Sequence, residues 1–112
     1  MASSVSVTVA HEHLVAGHRY LEVRTPEEFS QGHACGAINV PYLNREAMSK
    51  NPNFLEQVSS HFGQSDQIVV GCQSGGRSMK ATTELLDAGF TSVKDIAGGY
   101  AAWTQNGLPT QN

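Results

Sequence analysis

The sequence predicts one α/β domain: a doubly wound, mostly parallel sheet of about five strands with helices on both faces. Three observations lead there. The chain has 112 residues, room for one domain and not two. Short β-type runs alternate with helical ones along it. The apolar run Gln67 to Cys72 (QIVVGC) ends on a Gly-rich turn that opens directly into a helix, and sites in open α/β sheets form at such strand ends.

The elements follow in order. Val5 to Val7 reads as a short first strand. Thr8 then caps a helix from Val9 to Ala16, which Gly17 stops. Tyr20 to Arg24 (YLEVR) is a strand. Thr25-Pro26-Glu27-Glu28 starts a short helix with Thr as N-cap, Pro in the first turn and two acids facing the positive end of the dipole. Gly32 ends it. Ala37 to Val40 is a strand closed by Pro41. Residues 42–51 carry few apolar anchors and read as a loop. Asn51-Pro52 opens a helix with Phe54, Leu55, Val58 and Phe62 on one face, terminated by Gly63. Gln67 to Cys72 is a buried, central strand. The next helix spans Arg77 to Ala88, with Met79, Thr82, Thr83 and Leu86 inward and Gly89-Phe90 as a left-handed cap with its apolar follower. Ser92 to Ile96 is a strand. A last helix runs from Tyr100 to Asn106 and ends at Gly107-Leu108-Pro109. The domain is expected over residues 5–109, with 1–4 and 110–112 as short flexible ends.

Composition narrows the function. Apolar residues at 39% and charged residues at 15% argue against a disordered chain. No apolar run approaches the ~20 residues of a membrane span. A net charge of −3 disfavours nucleic acid and anionic membranes as partners. Cys35 and Cys72 form neither a CxxC nor a disulfide framework, so a reducing compartment is expected. The first residues lack a basic segment followed by an apolar one, as a secretory signal would need. A soluble intracellular protein, in cytosol or plastid stroma, and a monomer, is the expectation.

The chemistry concentrates in Cys72-Gln73-Ser74-Gly75-Gly76-Arg77-Ser78. A cysteine at a strand end would sit at the N-terminus of the next helix, where unpaired N–H groups point outward. Gly75 and Gly76 can take positive φ and curl successive amides into an anion nest. Arg77 and Lys80 add positive charge. Settings of this kind favour thiolate over thiol and make a nucleophile cradled for an anion. The plainer reading is a buried structural cysteine before an ordinary βα turn; the Gly-Gly-Arg-Ser continuation argues against it.

Cys72-Gln-Ser-Gly-Gly-Arg-Ser78 resembles the active-site loop of the rhodanese, or thiosulfate sulfurtransferase, family. The resemblance runs from about residue 5 to 109. It includes Leu21-Glu22-Val23-Arg24, Glu27-Glu28-Phe29, Gly32-His33, Gly36 to Pro41, Gly98-Gly99-Tyr100 with Trp103, and Gly107-Leu108-Pro109. The single short domain is most similar to the small plant sulfurtransferases of the senescence-associated type. The resemblance implies a cycle in which Cys72 takes a sulfane sulfur from a donor such as thiosulfate, becomes a persulfide, and passes the sulfur to cyanide, a thiol or a protein cysteine. The backbone of residues 73–77 would cradle the outer sulfur. No metal or organic cofactor is implied. The loop is one residue shorter than in phosphatases and arsenate reductases of similar fold, which suits one sulfur atom better than a tetrahedral oxyanion. One position departs: Glu22 stands where the family usually has Asp, and a modest change in loop geometry is expected.

Other residues carry two readings each. Arg77 steers anionic donors or is a helix-start arginine tied to a carboxylate; both can hold. Gln73 and Ser74 offer side chains to the donor or only their amides. Ser78 is read as a structural hydrogen-bonder in the loop, and Arg24 with Glu28 as a structural pair. Cys35 is a free thiol or a partner of Cys72 in a thiol oxidoreductase. His11 and His13, two apart on a helix, point to opposite sides and cannot chelate together; with His18 and His61 scattered, a metal site is not expected. His33 is read as a structural hydrogen-bonder, and Trp103 with Tyr100 as core or pocket wall. A non-catalytic docking module is the rival from another class, and it need not keep the Cys, the Gly-Gly turn and the Arg together.

Overall fold

The computed structural model describes residues 3–43 and 50–111. Five parallel strands form the main sheet: β1 (Ser4–Val5), β2 (Arg19–Glu22), β4 (Ile38–Asn39), β5 (Gln67–Gly71) and β6 (Ser92–Ile96), in the order β1-β6-β5-β2-β4. The strand that leads to Cys72 is therefore central. It pairs Leu21 with Val70 on one side and Asp95 with Val70 on the other. Its Ile68, Val69 and Val70 are all buried, as a strand covered on both faces requires.

Alternation along the strands divides the core in two. Leu21, Val23, Ile68, Val70 and Cys72 face one side, where α3 (Phe54–His61) and α4 (Gly76–Asp87) cover them with Phe54, Val58, Ala81 and Leu85. Tyr20, Val69 and Ile96 face the other, under Val7 and Ala10 of α1 (Val7–Val15) and Trp103 of α5 (Gly99–Gln105). The short helix α2 (Pro26–Ser30) follows β2. It starts as expected: Thr25 Oγ1 accepts from Glu28 N–H while the Glu28 carboxylate accepts from Thr25 N–H, a complete capping box.

Four expectations are corrected. The first helix begins at Val7, not Val9, because Ser6 rather than Thr8 supplies the cap, its Oγ accepting from Val9 N–H at 3.2 Å. The first strand shifts accordingly to Ser4–Val5, so Ser4, expected in a flexible end, pairs with Asp95 in the sheet. On α4 the inward residues are Ser78, Ala81, Thr82 and Leu85, whereas Thr83 is exposed and Met79 and Leu86 are half-buried. The small side chains face the sheet, so the helix start can lie close to it. Finally, β7 (Thr110–Gln111) pairs antiparallel with β3 (His33–Ala34); residues 110 and 111 are held where a free tail was expected. In the segment read as a loop, Leu43 bridges Lys50, and residues 44–49 lie outside the described residues.

Candidate active site

Cys72 follows the central strand directly and is 1% exposed. Two helix N-termini converge on it. From α4, the Gly75 N–H donates to Cys72 Sγ at 3.0 Å. Gly75 has φ +118°, a left-handed conformation that glycine adopts without penalty, and this turn carries the amide back toward the sulfur. From α5, Tyr100 N–H donates to the Cys72 carbonyl at 2.7 Å and Ala101 N–H to the Gln73 carbonyl at 3.1 Å. The first free amides of one helix thus fix the loop's carbonyls, while an amide at the start of another meets its sulfur.

Of the two readings of Arg77, the carboxylate tie is what the structure displays. Its guanidinium donates to both Glu28 oxygens, at 2.8 and 3.1 Å. The Arg77 hydrogen bonds, helped by the Thr25 backbone and hydroxyl, hold the Glu28 carboxyl down at about 2. Arg77 therefore bolts α4 to α2 beside the cysteine, its charge balanced by the Glu28 carboxylate. Ser78, read as structural, lies on the inner face of α4 with its Oγ 3.4 Å from Cys72 Sγ, and is bonded to Asp95 of β6. Gln73, Ser74 and Gly76 are exposed at the loop's rim.

A comparison with known families matches the rhodanese-like domain over residues 6–106. The chain belongs to the rhodanese-like family. It is 82% identical over 111 residues to thiosulfate sulfurtransferase 16, chloroplastic, of Arabidopsis thaliana, covering 97% of this chain and 92% of that one. It is 60% identical over 111 residues to the senescence-associated protein DIN1 of Raphanus sativus, covering 97% of this chain and 61% of the relative. Among solved structures, the rhodanese-like domain of an Anabaena protein superposes with a TM-score of 0.83 at 27% identity, covering all of this chain and 80% of that one.

In this rhodanese-like domain the residue that sequence reasoning undervalued is Arg24. It is 3% exposed and reaches in several directions. Its Nη2 donates to the Gly32 carbonyl at 2.6 Å, and its Nη1 lies 3.3 Å from the Glu28 carbonyl and 3.5 Å from Gln73 Oε1. Its guanidinium stacks over the Tyr100 ring at 4.2 Å. Glu28 gives it a backbone oxygen, not the carboxylate expected of a pair; the acid partner is Glu22, whose Oε2 lies 3.2 Å from Arg24 Nε. That approach lacks hydrogen-bond geometry, and both Glu22 oxygens lack a hydrogen bond. Glu22 is fully buried. Burial raises its carboxyl to about 8, and the Arg24 charge offsets this only in part.

Cys35 stands apart from this constellation. It is exposed and opens onto a cavity of about 350 Å³ lined by Leu14, His18, Arg19 and Tyr20. That cavity lies on the α1/α5 side and reaches the start of β2, whereas Cys72 packs on the α3/α4 side at the end of β5. Arg19 pairs with Ile68, four residues below Cys72, about 13 Å along a strand. The structure does not bring the two cysteines together for a disulfide. The histidines have local partners: His33 Nδ1 is 2.9 Å from the Phe29 carbonyl, and His13 stacks on His18. Trp103 is core, its indole N–H donating to the Pro109 carbonyl at 2.8 Å.

Proposed function

We propose that the protein is a sulfurtransferase that carries a sulfane sulfur on Cys72, taking it from thiosulfate or a similar donor and giving it to a thiol or cyanide. Membership in the rhodanese-like family and the names of its relatives support sulfur transfer in general. The observation that carries the reading for this chain is the Gly75 N–H aimed at Cys72 Sγ from 3.0 Å. A loop that already directs an amide at sulfur can do the same for a persulfide, whose negative charge lies one atom further out. The four-residue span from Cys72 to Arg77 leaves a narrow cradle, and the Arg77–Glu28 bridge braces its edge.

Small anionic donors and thiol acceptors are the proposed partners, with protein cysteines among the acceptors; the chain works as a monomer. A chloroplast location is proposed from the two Arabidopsis relatives named as chloroplastic. Among the described residues no helix is long and apolar enough to cross a membrane.

Intact-mass spectrometry after brief thiosulfate treatment tests the reading, with thiocyanate release on adding cyanide followed in parallel. The expected result is a gain of one sulfur in the wild type, none in Cys72→Ser, and its discharge by cyanide. No gain at saturating donor under reducing conditions overturns thiosulfate as the donor.

A further inference from the structure

Behind Cys72 lies a buried carboxylate that the sulfur cycle as described does not use. Asp95 is 2% exposed. Its Oδ2 accepts from Ser4 Oγ at 2.8 Å. Its Oδ1 accepts from Ser78 Oγ, and that oxygen is 3.4 Å from Cys72 Sγ. The fold makes this chain. Asp95 pairs with Val70 on the neighbouring strand, two residues before Cys72, and the start of α4 sets Ser78 between them.

A hydroxyl has one hydrogen to give. Gly75 O is also within 3.1 Å of Ser78 Oγ, but it already receives Met79 N–H, and the carboxylate is the stronger acceptor. With the hydrogen on Asp95, the Ser78 oxygen is left to accept from the Cys72 S–H, an arrangement that holds the thiol. A thiolate formed with nothing else changed would leave two anions competing for one hydrogen. The conflict disappears if the Cys72 proton passes to Ser78 Oγ while Ser78 passes its own to Asp95 Oδ1. The carboxylic acid then donates to Ser78 and Ser78 donates to the thiolate, so each hydrogen bond survives with its direction reversed.

We propose that Asp95, acting through Ser78, is the proton store that frees the Cys72 thiolate for sulfur loading. This rests on Cys72 being the sulfur carrier. In loading, the thiolate attacks the outer sulfur of thiosulfate. A Cys72–sulfur bond forms, the donor's S–S bond breaks, and sulfite leaves with the electron pair. In discharge, the acceptor takes the outer sulfur, the bonding pair returns to Cys72, and the proton comes back from Asp95 through Ser78. The other charged groups around the sulfur are Arg77 of α4, tied to Glu28 of α2, Tyr20 and Glu22 of β2, and Arg24, which follows β2 and reaches Gln73 of the loop. Lys80 and Lys94 are exposed. All of these are unchanged in the variants below.

The test is the rate of Cys72 alkylation by iodoacetamide from about pH 6 to 9, in a Cys35→Ser background so that one thiol reports. Asp95→Asn and Ser78→Ala are each expected to be at least about tenfold slower near the acidic end. The double variant is expected to be no slower than either single one, because one relay is broken once. The deficit is expected to close near about pH 9, where hydroxide takes the proton directly, and Ser78→Thr, which keeps a hydroxyl, is expected to hold the wild-type rate. Faster alkylation in Asp95→Asn overturns the proposal, since the carboxylate would then only oppose the thiolate. Slowing that is equal at every pH overturns it too. If Asp95→Asn does not fold, Ser78→Ala alone decides, an unchanged rate being fatal. Thiosulfate loading of the same proteins separates the two claims. A wild type that alkylates as expected but never loads overturns thiosulfate as the donor and leaves the relay standing. Loading by the wild type with unaffected variants overturns the relay alone.

Discussion

At the scale of single residues the site is held by contacts that admit no substitute. Gly99 has φ +57°, and a β-carbon there would lie 2.3 Å from the Cys72 carbonyl oxygen and 2.9 Å from the Gln73 carbonyl. Both oxygens belong to backbone that α5 itself holds, so neither can move aside cheaply. Gly99→Ala is expected to cost about 2–4 kcal/mol, read as a drop in urea midpoint. It is also expected to slow sulfur loading, because Tyr100 N–H must leave the Cys72 carbonyl. A variant of wild-type stability and loading would refute this clamp. The candidate loop was legible in the sequence because Cys72 to Ser78 is contiguous and its geometry is local. Gly99 on Cys72, Arg24 on Gln73 and Asp95 on Ser78 were not legible. These pairs are separated by 17 to 49 positions, and only the strand order brings them together.

At the scale of elements, α2 is short yet carries the acid that fixes Arg77. None of its residues is buried, so its cap matters more than its packing. Thr25→Ala removes the hydroxyl half of the capping box and is expected to cost about 1 kcal/mol, or about 4 °C in melting temperature for a chain of this size. Glu28 would also lose a partner that helps keep it ionised, and the Arg77 bridge would loosen with it. Unchanged melting in Thr25→Ala would mean that Arg77, not the cap, holds the helix. This start was readable because Thr-Pro-Glu-Glu states its cap locally. The facing of α4 was not. Helical period alone permits a stripe through Met79, Thr82, Thr83 and Leu86 as well as one through Ser78, Ala81, Thr82 and Leu85, and the larger side chains suggested the former, which has only Thr82 right. The sheet selects the latter because a close approach at Cys72 needs small residues. Ala81→Leu is accordingly expected to cost about 1–3 kcal/mol by overpacking, and Met79→Leu less than about 1.5, both measurable by denaturant titration.

At the scale of the whole molecule, two glutamates near one site pull stability in opposite directions with pH. Glu28 has its folded value lowered from 4.5 to about 2, by Arg77 first. The unfolded chain therefore binds more protons in that interval, and the stability Glu28 contributes is present above about 4.5 and lost as pH falls through 2. Glu22 has its folded value raised to about 8 by burial, which Arg24 only partly offsets. Its contribution is full below about 4.5 and is lost as pH rises through 8, because the unfolded carboxyl has ionised and the folded one has not. Together these two place maximum stability near about pH 4.5, where the Glu28 contribution is complete and the Glu22 contribution has not begun to fall. Urea midpoints from about pH 2 to 9 are expected to separate them. Glu28→Gln removes the acid-side slope and costs about 1–2 kcal/mol near neutrality after allowance for its partial exposure; the difference vanishes near pH 2. Glu22→Gln removes the opposite slope, so its stability relative to wild type is expected to climb from pH 4.5 to 8. A Glu22→Gln difference that stays flat over that range would show the folded carboxylate to be ionised beside Arg24. The pair would then be an ordinary ion bridge, and the Arg24 charge at the loop would be cancelled.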